Sequence, residues 1–136
     1  MRLIVCVDEG EGLSFGGRRQ SRDRAVCQRI LELTEEDPLW MDTYSAKLFA
    51  DAEDRIRVSD SCLEQAGEND WCFAEIQDLT SCISKVNTLV IYRWNRRYPA
   101  DNKLPFALRL ACPRSVSRRD FAGSSHERIT EEVYSR

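Results

Sequence analysis

Leu3-Ile4-Val5-Cys6-Val7 is an unbroken run of β-favouring apolar residues, closed by Asp8-Glu9-Gly10. Successive side chains of a strand point to opposite faces, so a strand that is apolar at every position must be covered on both sides. This requirement sets the first strand centrally in a sheet. The chain has 136 residues, 42% of them hydrophobic. That is enough for one domain with its own core and too little to divide comfortably into two.

Gly10, Gly12, Gly16 and Gly17 punctuate a loop through Leu13 and Phe15, with Ser21 as the expected N-cap of the next segment. Val26, Cys27, Ile30, Leu31 and Leu33 recur at helical spacing, which predicts an amphipathic helix from Arg22 to Leu33, stopped by Thr34-Glu35-Glu36-Asp37-Pro38. Leu39-Trp40-Met41 is expected as a strand, Ser45–Ala52 as a helix, Ile56–Ser59 and Trp71–Ile76 as strands, and Asp78–Val86 as a helix or helical turn. Thr88–Trp94 is strongly β-prone, and Tyr98-Pro99-Ala100-Asp101-Asn102 is a turn. Two readings of the tail compete. One is an antiparallel pair of Leu108–Cys112 with Arg128–Tyr134, and the other is a helix starting at Ser124 or Ser125.

A net charge of −3 with 32% charged residues neither demands a polyanionic partner nor matches the signature of disorder. The 20 basic residues divide into 17 Arg and 3 Lys, a bias toward the side chain suited to bidentate contact with carboxylate or phosphate. The six cysteines form no C-x-x-C motif and several lie in apolar runs, so they are expected as reduced, mostly buried thiols. One histidine, His126, cannot write the usual zinc spacings, and no metal is expected. The apolar start is too short for a signal peptide or membrane span. The expectation is therefore a cytoplasmic protein without a membrane partner.

The order of these elements, with a Gly-bearing loop directly after the first strand, resembles dihydrofolate reductase. Leu3-Ile4-Val5-Cys6-Val7-Asp8 is similar to that family's first strand, Gly10–Gly17 to its mobile substrate-side loop, and Pro38-Leu39-Trp40-Met41 to its Pro-Val-Ile-Met segment. From Trp71 to Pro105 the family pattern runs without a gap, including Leu89-Val90-Ile91-Tyr92 and Ala100-Asp101-Asn102-Lys103-Leu104-Pro105, which resembles G-D-T-x-F-P. Ser125–Tyr134 resembles the final strand, which favours the hairpin over the helix. The resemblance implies an α/β fold: a twisted mixed sheet with flanking helices and a C-terminal antiparallel hairpin. A strand–helix unit of the family is missing between Ser59 and Trp71, and the exposed edge this leaves is one that a homodimer would cover.

The same resemblance implies NADPH as hydride donor and a folate or pterin as substrate, but the residues depart from the family at both sites. Ala74 and Glu75 stand at its Gly-Gly pair, where a carboxylate would repel a pyrophosphate. Asp42-Thr43-Tyr44-Ser45 replaces its Gly-Arg-x-Thr, which leaves Thr43 and Ser45 as the remaining cofactor-side candidates and removes the arginine. Val26 takes the place of the family's pterin-binding carboxylate. Asp23, one turn earlier on the same helix face, is the acid that would substitute as proton relay. Ile30, Phe49 and Tyr92 are the surviving pocket-facing positions, and Arg55, or the pair Arg18 and Arg19, would hold the ligand's carboxylate or phosphate.

A second function class remains beside this one: a non-enzymatic module whose Arg-rich surface holds a nucleotide, RNA or an acidic protein partner. Arg18, Arg19, Arg22 and Arg24 crowd one loop and helix start, and Arg93-Trp94-Asn95-Arg96-Arg97-Tyr98 interleaves Arg with aromatics. Overall acidity limits any nucleic-acid contact to a local patch. His126 beside Ser124 and Ser125 has no supporting group placed by the sequence, and it reads as a surface histidine.

Overall fold

The computed structural model describes residues 1–136. Strand β1 (Arg2–Val7) lies at the centre of a seven-stranded sheet, and its residues alternate between two hydrophobic layers. Leu3, Val5 and Val7 enter one core cluster, and Ile4 and Cys6 enter the other. The two-sided burial implied by the apolar run is met in this way, one layer per face.

The chain continues through β2 (Gly12–Phe15), β3 (Arg18–Arg19), helix α1 (Arg24–Leu33), β4 (Leu39–Met41) and α2 (Thr43–Ala46). A 3₁₀ segment, Lys47–Arg55, leads to β5 (Ile56–Val58), α3 (Cys62–Gln65) and β6 (Trp71–Phe73). A second 3₁₀ segment, Thr80–Lys85, precedes β7 (Thr88–Arg93), β8 (Asn102–Lys103), α4 (Phe106–Ala111) and the closing strands β9 (Arg114–Phe121) and β10 (Ile129–Ser135). The large sheet runs β5-β4-β6-β1-β7-β10-β9, and β3-β2-β8 form a small one. β1 pairs in parallel with β6 and β7, with Ile4 opposite both Phe73 and Val90, and β10 returns antiparallel between β7 and β9. The mixed sheet and terminal hairpin expected from the sequence are present.

Helix α1 packs Val26 and Ile30 against Phe49, Phe73 and Tyr92. Full burial of such aliphatic side chains contributes about 1.5–3 kcal/mol each. The opposite layer is covered by Cys62 and Ala66 near α3, Cys82, and Leu108 of α4. All six cysteines are free thiols, and five are buried. No helix is long and apolar enough to cross a membrane.

Four boundaries differ from expectation for identifiable reasons. Helix α1 begins at Arg24, because the N-cap is Asp23, whose side chain accepts from the Ala25 N–H; Ser21 has another partner. The helix expected over Ser45–Ala52 starts earlier, at Thr43, where Asp42 caps the Ser45 N–H, and it gives way to the 3₁₀ segment. Strand β6 stops at Phe73, short of Glu75, which turns toward β3. Finally, Leu108–Cys112 is not a strand: Phe106–Ala111 is helical, and the partner of β10 is Arg114–Phe121. That strand is polar and exposed along nearly its whole length, so it shows no alternation by which to read it.

Candidate functional site

The start of α1 is organised by one carboxylate. Asp23 Oδ1 accepts from the N–H groups of Ala25 and Ser124, both at 2.9 Å. Oδ2 accepts from Ser125 N–H at 2.8 Å, His126 N–H at 3.1 Å and His126 Nδ1 at 2.9 Å. Burial alone would raise this carboxyl, but the donors of Ser124, His126, Ser125 and Ala25 outweigh it and hold it at about 2. Asp23 is therefore an ionised acceptor with no proton to give near neutral pH. The tight wrap of the 123–126 loop needs Gly123, since a Cβ there would lie 2.6 Å from Asp23 Oδ2. His126, expected at the surface, is 4% exposed.

Beside this carboxylate opens a cleft of about 510 Å³, lined by Arg22, Asp23, Arg24, Cys27, Leu48 and Asp51, with Ser124 and Ser125 at its rim. It lies between the first turn of α1 and the 3₁₀ segment. Burial, with Glu75 adding to it, pushes the Cys27 thiol up to about 11, so this cysteine faces the cleft protonated.

Ile30, Phe49 and Tyr92 do come together, as one packed layer rather than as the wall of a cavity; each is 2% exposed or less. The Tyr92 hydroxyl donates to Glu131 Oε2 at 2.8 Å, and Glu131 in turn accepts from Arg29 Nε at 2.7 Å. Burial and the Glu131 charge raise the phenol well above its ordinary range. Arg55 donates to the carbonyls of Leu31 and Thr34 at 3.3 and 3.2 Å, closing the C-terminal turn of α1. Arg18 is exposed at the turn of the β2–β3 hairpin, where Gly16 and Gly17 take φ of 60° and 72°.

Of the cofactor-side candidates, Glu75 and Ser45 meet in an internal ion pair with Arg19, while Thr43 and Ala74 are bonded elsewhere. Arg19 Nε and a terminal nitrogen donate to the two Glu75 oxygens at 2.9 and 3.0 Å, and the Ser45 hydroxyl donates to Glu75 Oε1 at 2.8 Å. The guanidinium stacks over the Tyr44 ring at 4.3 Å, and Tyr44 Oη accepts from the Arg19 N–H at 3.0 Å. Ser45 is fully buried, and the Ala74 N–H is taken by the Ile4 carbonyl. The Thr43 N–H is taken by Asp60 at 2.9 Å.

A parallel core extended by an antiparallel terminal hairpin, helices on both faces and a hairpin folded over the end of β1 together define the dihydrofolate reductase fold. Among solved structures, a dihydrofolate reductase from Enterococcus faecalis complexed with NADP(H) and RAB-propyl matches with a TM-score of 0.68, covering 99% of this chain and 95% of that one at 11% identity. No family model and no curated protein matches the sequence. The likeness establishes the fold.

The residues present do not fit a dinucleotide pyrophosphate. The helix N-terminus that would receive it is α2, which is capped by Asp42 and flanked by Glu75; the nearby guanidinium, Arg19, is already spent on Glu75. Sequence reasoning missed Ser21, Tyr98, His126 and Glu131 as members of buried networks. The partners of His126 lie 28 to 105 positions away, so the sequence showed only a histidine beside Ser124 and Ser125, with no supporting group to distinguish it from a surface residue.

Proposed function

We propose that the chain is a small-molecule-binding protein on the dihydrofolate reductase fold, holding a compact ligand with an anionic group in the cleft between α1 and Leu48–Asp51. Arg22 and Arg24 are the contacts for the anion, because Arg19 and Arg55 are engaged internally while these two line the cleft. The observation that carries this reading is an open cleft on the ligand side together with a cofactor cradle closed by its own side chains. Asp23, ionised and saturated with donors, acts here as the anchor of the 123–126 loop rather than as a proton relay.

NADPH-dependent reduction of a folate or pterin remains the activity that the Enterococcus faecalis structure suggests, and it is directly testable. Purified protein titrated with NADPH to millimolar concentration, with and without dihydrofolate, is expected to show neither saturable binding nor NADPH oxidation. Saturable binding would restore the reductase reading. In the other arm, inorganic phosphate or a small dicarboxylate is expected to raise the melting temperature through binding to the folded state, and the shift is expected to vanish in Arg22→Ala/Arg24→Ala. No shift with any anion removes the cleft reading.

A second reading, a module for an acidic protein partner or nucleic acid, is supported by the edge strand β9, on which Arg114, Arg118 and Arg119 are exposed. Loss of binding on changing those arginines, with Arg22 and Arg24 intact, favours it over the first.

A further inference from the structure

His126 connects two groups that the ligand reading leaves unused. With an ionised carboxylate on Nδ1, that nitrogen carries the imidazole hydrogen, and Nε2 presents its lone pair. Facing Nε2 are the Ser21 hydroxyl at 3.1 Å and the Tyr98 hydroxyl at 3.0 Å. Tyr98 Oη also donates to Ser21 Oγ at 3.4 Å. The ring cannot turn: Trp94 stacks on it with centroids 4.6 Å apart and planes at 22°, and the His126 side chain is 2% exposed. The Asp23 side chain is wholly buried and fixed by four backbone N–H groups as well as the imidazole. Ser21, in contrast, is half-buried and followed by the exposed Arg22, whose peptide N–H has no acceptor within the chain.

Nucleophile within hydrogen-bond reach of a base, and base oriented by a buried carboxylate, is the arrangement that activates a hydroxyl for acyl transfer. We propose that Ser21, His126 and Asp23 form such a relay and that Ser21 accepts an acyl group from a small ester. Ser21 Oγ bonds to the ester carbonyl carbon as its proton passes to His126 Nε2. The carbon–oxygen bond to the leaving group then breaks, and the imidazolium returns that proton to the departing alkoxide. Water, deprotonated by the same nitrogen, cleaves the acyl-serine to release the acid and regenerate the hydroxyl. The net reaction is ester plus water to acid plus alcohol. Asp23 is a positioning residue: it selects the tautomer and stabilises the imidazolium. The Arg22 N–H, next after the nucleophile, is the donor available to the developing oxyanion.

The preference among esters rests on the cleft reading above, with Arg22 and Arg24 favouring an ester that carries a carboxylate or phosphate; the acyl transfer itself does not rest on it. The experiment separates the two. The full chain is treated with a fluorophosphonate and the adduct mapped by mass spectrometry, and p-nitrophenyl acetate hydrolysis is followed in parallel. The expected result is one adduct, on Ser21, lost in Ser21→Ala together with at least about a hundredfold of the esterase rate, while the far-UV circular dichroism is unchanged. Wild-type protein that is labelled on Ser21 but hydrolyses anionic and neutral esters equally well, or a preference for anionic esters that survives in Arg22→Ala/Arg24→Ala, would fault the cleft reading alone. No adduct on the folded wild type, an adduct on Tyr98 or elsewhere, or a Ser21→Ala variant with the wild-type rate overturns the relay.

Discussion

Replacing Asp23 by Asn is the sharpest test of how the start of α1 is held. Five donors converge on two oxygens, two on Oδ1 and three on Oδ2. An asparagine offers one oxygen, so whichever way the amide is turned, at least two donors face an NH₂ group. Each buried donor left without an acceptor costs about 1–3 kcal/mol, which gives about 2–6 kcal/mol for the pair. An independent route starts from the carboxyl itself: holding it at about 2 instead of its ordinary 3.8 contributes about 2 kcal/mol at neutral pH. Both routes meet at about 2–3 kcal/mol, a large share of the ~5–15 kcal/mol that stabilises a typical domain. Because the folded-state pKa is depressed, this stability is complete above about pH 4 and is lost as the pH falls toward about 2. Urea unfolding followed by tryptophan fluorescence, with Trp94 stacked on His126 as reporter, gives the free energies for both proteins. The gap between wild type and Asp23→Asn is expected to be about 2–3 kcal/mol at pH 7 and to narrow steadily below about pH 4. A gap under about 0.5 kcal/mol, or one that does not change with pH, refutes the reasoning.

Two further outcomes arise from packing. Gly123→Ala sets a Cβ 2.6 Å from both Asp23 Oδ2 and the His126 carbonyl, so it is expected to destabilise by about 1–3 kcal/mol; an unchanged melting temperature contradicts the tight wrap. Arg19→Ala leaves the Glu75 carboxylate, 6% exposed, without its cation, and it is expected to cost about 2–4 kcal/mol, most of it recovered in Arg19→Met/Glu75→Leu. A double-mutant cycle measures that coupling, and additivity within about 0.5 kcal/mol argues against the ion pair.

Elements with one-sided or two-sided apolar burial were legible in the residues. β1 and β7 are continuous apolar runs, and α1 repeats its buried positions at Val26 and Ile30. Elements stabilised mainly by pairing were not. β9 buries almost nothing and exists because β10 offers it hydrogen-bond partners, while Leu108, the one buried residue of α4, carries no periodic signal by itself. The same physics divides the site. Asp23 could be singled out as the acid near the helix start, but which way its carboxylate faces depends on a loop 101 to 103 positions away. Ile30, Phe49 and Tyr92 have the polarity of pocket residues and of core residues alike; only the absence of space between them decides.

Helix α1 is fastened to the terminal hairpin twice, by Asp23 to the 124–126 backbone and, nearly two turns on, by Arg29 to the buried Glu131. Two attachments along one axis suppress both sliding and rolling, so helix and hairpin behave as a single slab. Widening of the neighbouring cleft then falls to its opposite bank, the 3₁₀ segment 47–55, where Phe49 is the one buried anchor. On the proposed ligand reading, the width of the entrance would be set by Leu48 and Asp51, the two side chains of that bank that line the cleft.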